Sequence, residues 1–162
     1  MTAVTRSGWL AFGVAAVVIV LDQALKAWVV AGLGLLPGDS HPVVWPLSLT
    51  LVGNDGISFG FFQTHAAWTR WALAIFALVM SIVLVVVARR AEKAIVGIAL
   101  GLILGGAVGN LIDRVRVGVV VDFIDVHPLF FPWIFNIADA GITVGATLWI
   151  LHSLLWPQRA RA

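Results

Sequence analysis

Four long apolar stretches dominate the pattern of hydrophobic and polar residues along the chain. They run from about Trp9 to Val30, Ala66 to Ala88, Ala94 to Ile112 and Ile134 to Trp156. A helix needs roughly 20 largely apolar residues to cross the hydrocarbon core of a bilayer, and each stretch approaches that length. The pattern therefore predicts an all-α membrane protein with four transmembrane helices in a single domain, residues 1–162.

Composition supports a lipid environment for these stretches. Of the 162 residues, 61% are hydrophobic and 11% are charged, whereas a soluble domain is about 45–50% apolar and about 25% charged. The chain has no cysteine, which excludes disulfides, thiolate metal sites and a cysteine nucleophile. Its basic residues lie between apolar runs and form no patch, so we expect no nucleic-acid partner.

The first stretch has one alternative interpretation. Arg6 precedes an apolar run, as in a secretory signal, but the pattern continues through Asp22 and Lys26 to Val30 without an obvious small-x-small cleavage site. We therefore favour a retained helix.

Charged residues indicate the orientation. Six of the ten basic residues lie at the two termini and between the second and third stretches: Arg6, Arg89, Arg90, Lys93, Arg159 and Arg161. Lysine and arginine are enriched on the cytoplasmic side, so both termini are expected there. Seven of the eight acids map to the opposite, outer side, with Glu92 as the exception. This skew suggests a functional site near the outer leaflet.

The two outer segments are too apolar for solvated linkers. Residues Val43 to Val52, within the segment Leu33 to His65, alternate in a pattern typical of one or two short strands. The segment Asp113 to Trp133 contains the apolar run Val117 to Val121. We expect both segments at the membrane surface. The third stretch also carries Gly97, Gly101, Gly105 and Gly109 at four-residue spacing, which favours close helix packing over a hinge.

Polar residues inside apolar runs need an explanation, because a charge at mid-helix costs about 2.5–3.5 kcal/mol. Asp22 and Lys26 lie four residues apart and meet on one helix face, as a neutralising pair would. Asp22 and Asp113 have basic residues close in sequence, so we expect them to be ionised and structural. Asp122 and Asp139 have the least local compensation, and desolvation should raise their pKa values.

Asp122 and Asp139 would share one proton if they faced each other. One carboxylate could then accept a proton from water while the other donates to a carbonyl oxygen, which gives hydrolysis without a covalent intermediate. A proton relay or buried structural carboxylates remain alternatives at this point. The four histidines are scattered, and neither an HExxH motif nor a glycine-rich phosphate loop occurs. We therefore expect neither metal nor cofactor.

Five short blocks of the chain resemble the bacterial lipoprotein signal peptidases (signal peptidase II). The blocks are Asp22-Gln23-x-x-Lys26, Asn54-x-Gly56-x-Ser58-Phe59-Gly60, Gly109-Asn110-x-x-Asp113-Arg114, Val120-Val121-Asp122-Phe123 and Phe135-Asn136-x-Ala138-Asp139. Each block alone is weak, but together they cover most of the chain in the expected order. The family's second block often reads Asn-x-Gly-Ala-Ala-Phe, and Ile57 and Ser58 here replace its two alanines.

The resemblance implies an aspartic endopeptidase of the bacterial inner membrane. Asp122 and Asp139 would be the catalytic pair, and Asp22, Lys26 and Asp113 would be structural supports. The residues implied to bind substrate or support the site are Asn54, Gly56, Asn110, Arg114 and Asn136. A small outer-face β-platform and an outer loop over the site are also implied. The substrate would be a prolipoprotein with a diacylglyceryl cysteine, cut just before that cysteine. Membrane lipid is the other expected partner, and we expect a monomer.

Two other classes of protein compete with this hypothesis. A proton- or ion-coupled transporter would use the buried acids as a relay, but its polar residues should connect both membrane faces. A non-enzymatic membrane scaffold leaves the recurrence of aspartate, asparagine and arginine in these blocks unexplained.

Overall fold

The computed structural model describes residues 3–56 and 67–156. Within them, four helices are long and apolar enough to cross a membrane. The first, α1 (Arg6–Ala27), continues as a π-helical turn over Trp28–Gly32. The others are α2 (Ala67–Ala88), α3 (Ala94–Arg116) and α4 (Ile137–Leu155). The predicted fold class, four spanning helices beside a small sheet, is confirmed.

Helix α3 is the centre of the bundle. Half of the residues in an apolar 18-residue stretch of α3 are buried inside the protein, compared with 28% in the corresponding stretch of α1 and 22% in those of α2 and α4. Its glycines permit this position: a Cβ on Gly105 would lie 2.8 Å from the Ala15 carbonyl oxygen of α1. On α4, a Cβ on Gly145 would lie 2.6 Å from the Ala99 carbonyl oxygen of α3. The predicted role of small residues in close packing fits these contacts.

A three-stranded antiparallel sheet lies at one end of the bundle, called the sheet end below. Its order is β1 (Ser40–Val44), β2 (Leu47–Asn54) and β3 (Val120–Asp125). Leu49 and Leu51 of β2 are buried together with Val29 and Phe123, which fixes the sheet against the end of α1.

Three helix bounds differ from the expected ones by three residues or more: α1 starts at Arg6 instead of Trp9, and the other two lie at the sheet end. Helix α3 continues through Asp113 and Arg114 to Arg116 instead of ending at Ile112, because these polar side chains are buried against partners from other segments. Helix α4 starts at Ile137 instead of Ile134, because Phe135 pairs with Ile124 of β3. Strand β3 was not predicted.

Candidate active site

Asp122 and Asp139 come together at the sheet end of the bundle. Strand β3 carries Asp122, which is 2% exposed, and the first turn of α4 carries Asp139, which is 5% exposed. Burial, together with the negative charge of Asp139, raises the pKa of Asp122 from its usual value to about 7. Asp122 can therefore bind or release a proton near neutral pH, as a general acid or base must.

Three asparagine side chains donate hydrogen bonds to these carboxylates. Asn54 Nδ2 donates to Asp122 Oδ2 at 3.0 Å, and Asn136 Nδ2 donates to Asp122 Oδ1 at 2.6 Å. Asn110 Nδ2 donates to Asp139 Oδ1 at 2.8 Å. As expected, the sequence neighbours of Asp122 and Asp139 do little to stabilise the two carboxylates. Their hydrogen-bond donors come instead from β2, α3 and the residue before α4.

Asn136 also fixes the start of the helix that carries Asp139. It is the N-cap of α4, and its Oδ1 accepts a hydrogen bond from the Asp139 backbone N–H at 2.9 Å. Asparagine is among the strongest N-cap residues because its side chain satisfies a free N–H of the first turn. One fully buried side chain thus orients both acids, through the Asp122 carboxylate and the Asp139 backbone.

Arg114 brings a buried positive charge to the same place. Its Nη2 donates to the Gly56 carbonyl oxygen at 2.8 Å, and the Gly56 N–H donates to Asn54 Oδ1 at 3.0 Å. The guanidinium also interacts electrostatically with Asp139 and Asp122. Arg114 is only 9% exposed, so this charge lies in a poorly hydrated environment where it acts strongly on neighbouring groups.

A buried ion cluster supports the site from the side of α1. Lys26 Nζ lies 2.7 Å from Asp22 Oδ2, which is the pairing the sequence predicts, and 2.7 Å from Asp113 Oδ2. It also donates to Asn110 Oδ1 at 3.4 Å. Asp22 Oδ1 in turn accepts from the Ala138 N–H of α4 at 3.0 Å. The cluster therefore ties α1, α3 and α4 together directly beside the acid pair.

Two further polar residues support the site but were not predicted from the sequence to do so. Gln23 Nε2 donates to Asp113 Oδ1 at 2.9 Å and contacts Asp22 Oδ2 at 3.2 Å. Its place beside Asp22 in the first block was a signal that it belongs to the cluster.

Arg70 of α2 is the other missed residue. It donates from Nε to the Arg114 carbonyl oxygen at 2.7 Å and from Nη2 to the Val115 carbonyl oxygen at 2.8 Å. These carbonyls belong to the last turn of α3 and lack helical partners. Arg70 thus fixes the backbone of the residue whose side chain reaches the site, and no sequence motif indicated this role.

An apolar cavity of about 320 Å³ extends from the site between α2, α3 and α4. Asn110 and Arg114 line it together with Phe76, Met80 and Trp149. Its polar end is formed by Asn110, which donates to Asp139, and by Arg114, which donates to the Gly56 carbonyl.

Some expected features stay predictions. Ile57 and Ser58, the departures from the family's second block, lie outside the described residues, and so does the rest of the first outer segment through His65. In residues 3–56 and 67–156, no group of three histidine, aspartate or glutamate side chains could hold a metal ion.

The chain is similar to known membrane peptidases along nearly its whole length. The family described as signal peptidase (SPase) II matches residues 14–155. A lipoprotein signal peptidase of Caulobacter vibrioides is 50% identical over 153 residues, covering 94% of this chain and 90% of that protein. A lipoprotein signal peptidase of Burkholderia mallei is 38% identical over 155 residues, covering 94% and 91%.

Two solved structures, each described as a bacterial membrane enzyme, have the same fold. One has a TM-score of 0.82 at 28% identity and covers 100% of this chain and 98% of its own. The other has a TM-score of 0.76 at 29% identity and covers 98% of this chain and 99% of its own.

Proposed function

The chain belongs to the signal peptidase II family, and on this premise we propose that Asp122 and Asp139 are its catalytic pair. Membership makes the protein a membrane-bound peptidase that acts on lipoproteins. The aspartic mechanism rests on one observation above all: two buried carboxylates interact, and one has a pKa raised to about 7. A pair that shares one proton contains an acid and a base at the same time.

In this mechanism, water is the nucleophile. One carboxylate accepts a proton as the water oxygen attacks the peptide carbonyl carbon, and the other donates a proton to the carbonyl oxygen. Collapse of the tetrahedral intermediate breaks the C–N bond, and a proton moves to the leaving amine. Asn54, Asn110 and Asn136 hold the carboxylates in place through the hydrogen bonds given above.

Arg114 and Gly56 form the part of the site that we propose binds the substrate backbone. The Arg114 guanidinium donates to the Gly56 carbonyl oxygen, so hydrogen-bond donors and an acceptor lie side by side here. An extended peptide backbone needs both. Asp22, Lys26 and Asp113 act as structural supports, because their charges neutralise one another within the cluster.

We propose that the substrate is a prolipoprotein with a diacylglyceryl cysteine and that cleavage falls just before this cysteine. The apolar cavity between α2, α3 and α4 supports this proposal, because its volume of about 320 Å³ and its apolar lining suit an acyl chain of the lipidated cysteine. The sheet end then faces the outer leaflet, and both termini are cytoplasmic.

The distribution of polar residues favours this function over a proton relay. The opposite half of the bundle contains an apolar cluster that includes Ala11, Ala88, Leu100 and Leu104. A relay would need polar groups there to connect both faces of the membrane.

The test is cleavage of one preprotein in two forms by the purified enzyme in detergent. One form carries the diacylglyceryl cysteine, and the other carries the unmodified cysteine. We expect cleavage of the modified form alone, with a product whose first residue by mass spectrometry is the lipidated cysteine. Equal cleavage of both forms, or a cut elsewhere, would contradict the proposed specificity. A metal chelator should leave the rate unchanged, and strong inhibition would contradict the dyad mechanism.

A further inference from the structure

A second cavity, called the basic cavity below, lies at the end of the bundle opposite the sheet. Its volume is about 460 Å³, and it lies between the end of α2, the start of α3 and the end of α4. Apolar side chains form much of its lining: Val86, Val87, Val96 and Leu100, with Trp149 and Trp156. Apart from Trp149, which also lines the apolar cavity beside the candidate active site, the proposed peptidase function uses none of these residues.

Charged residues from the loop between α2 and α3 complete the lining. Among the described lining residues, Arg90 and Lys93 are exposed, and so is the one carboxylate, that of Glu92. Among the described residues, neither Arg90 nor Lys93 forms an ion pair. Two cations against one carboxylate leave the cavity with a net positive charge, which an anionic group would complement.

This loop is fixed by the start of α1. The Thr5 N–H donates to the Arg89 carbonyl oxygen at 3.1 Å, and Thr5 Oγ1 donates to the Ala91 carbonyl oxygen at 2.6 Å. The Ser7 hydroxyl donates to the Glu92 carbonyl oxygen at 3.2 Å. The backbone that carries the cations is therefore held before any ligand arrives, which lowers the cost of binding.

The aromatic residues indicate the depth of the basic cavity in the membrane. Trp156 stacks on His152 with their ring centroids 5.6 Å apart, and both rings line the cavity. Tryptophan favours the headgroup region of a bilayer. Two cations and Trp156 at the end of the bundle, beside an apolar wall, match a phosphodiester attached to acyl chains.

We propose that the basic cavity binds an anionic phospholipid of the surrounding bilayer. Arg90 and Lys93 contact the phosphate, and an acyl chain lies along Val86, Val87 and Val96. Basic pockets between transmembrane helices on the cytoplasmic side are a recurrent binding mode for such headgroups. Recognition depends on the headgroup charge and does not involve the acid pair.

The experiment measures binding of phosphatidylglycerol to the purified full chain in neutral detergent by native mass spectrometry. The test variant is Arg90→Gln with Lys93→Gln, and the charge-matched control is Arg6→Gln with Arg116→Gln, two exposed residues outside the cavity. The test variant removes two basic residues near the membrane surface and should therefore lose roughly thirtyfold in affinity. The control should stay close to wild type, and Lys93→Arg should keep binding.

Three results would overturn the proposal. The test and control variants could lose the same affinity, which would show only a general charge effect. Phosphatidylcholine could bind as tightly as phosphatidylglycerol, which would remove recognition of the headgroup charge. Inorganic phosphate could displace phosphatidylglycerol completely at low concentration, which would indicate a site for the free anion instead of a lipid.

Discussion

Replacing Asp122 by asparagine should change how the stability of the protein depends on pH. The pKa of Asp122 is raised to about 7 in the folded protein, whereas an unfolded aspartate has a pKa near 3.9. The folded state therefore holds a proton that the unfolded state has already lost. A raised carboxyl pKa contributes stability that is fully present below the unfolded value and is lost as pH rises through the folded value.

The size of the effect follows from the same pKa. In a scan from about pH 5 to about pH 9, the wild type loses the part of this contribution that remains at about pH 5. The loss occurs over the roughly two pH units below the folded pKa and amounts to about 3 kcal/mol. For a chain of this length, that corresponds to a fall of about 6–12 °C in Tm. The amide of the Asp122→Asn variant cannot titrate, so the variant should lack this fall.

The variant should nevertheless be less stable than the wild type at about pH 5. Asn54 and Asn136 both donate to Asp122, and an amide at this position turns its own donor towards one of them. An unsatisfied buried donor costs about 1–3 kcal/mol. The two stability curves should therefore converge or cross as pH rises.

Thermal unfolding in detergent across this pH range measures the effect. Asp39→Asn is the control, because it removes the same charge from an exposed turn at the sheet end. Its curve should follow that of the wild type. Parallel curves for wild type and Asp122→Asn would refute the reasoning, because no group at Asp122 would then titrate near neutral pH.

Three further substitutions test the supports of the site by thermal unfolding. Lys26→Met leaves two buried carboxylates without their cation and should cost about 3–5 kcal/mol; an unchanged Tm would contradict the ion cluster. Gly145→Ala places a Cβ against a helix backbone and should cost about 1–3 kcal/mol. Its control is Gly13→Ala, where a Cβ meets nothing within 4 Å and Tm should not fall. Arg70→Lys keeps the charge but loses the two-carbonyl geometry, so about 1–3 kcal/mol should be lost. Full stability of this variant would mean that the contacts with α3 are dispensable.

The spanning helices could be predicted because their signal is local. Each needs a long apolar run, and such runs are visible without knowledge of any partner. The acids were also visible, since Asp122 and Asp139 stand in apolar surroundings. Only the resemblance to a family indicated that the two acids lie together. The residues alone were also compatible with a proton relay or with buried structural carboxylates.

Strand β3 could not be predicted because its signal is not local. The apolar run Val117 to Val121 has no alternation, and the strand exists through its pairing with β2, more than 60 residues earlier in the chain, where Gly53 faces Val121. The same holds for the end of α3, where Asp113 stays helical because Lys26 neutralises it. Contacts between distant segments determine these elements, and one sequence does not reveal those contacts.

The most direct test of the proposed dyad compares cleavage of the lipid-modified preprotein by wild type, Asp122→Asn and Asp139→Asn, with Asp39→Asn as control. Loss of a general acid or base typically lowers the rate about 10²–10⁴-fold. We expect such a loss in both dyad variants and a wild-type rate in the control. A wild-type rate in either dyad variant, with the protein folded, would contradict catalysis by a pair of aspartates.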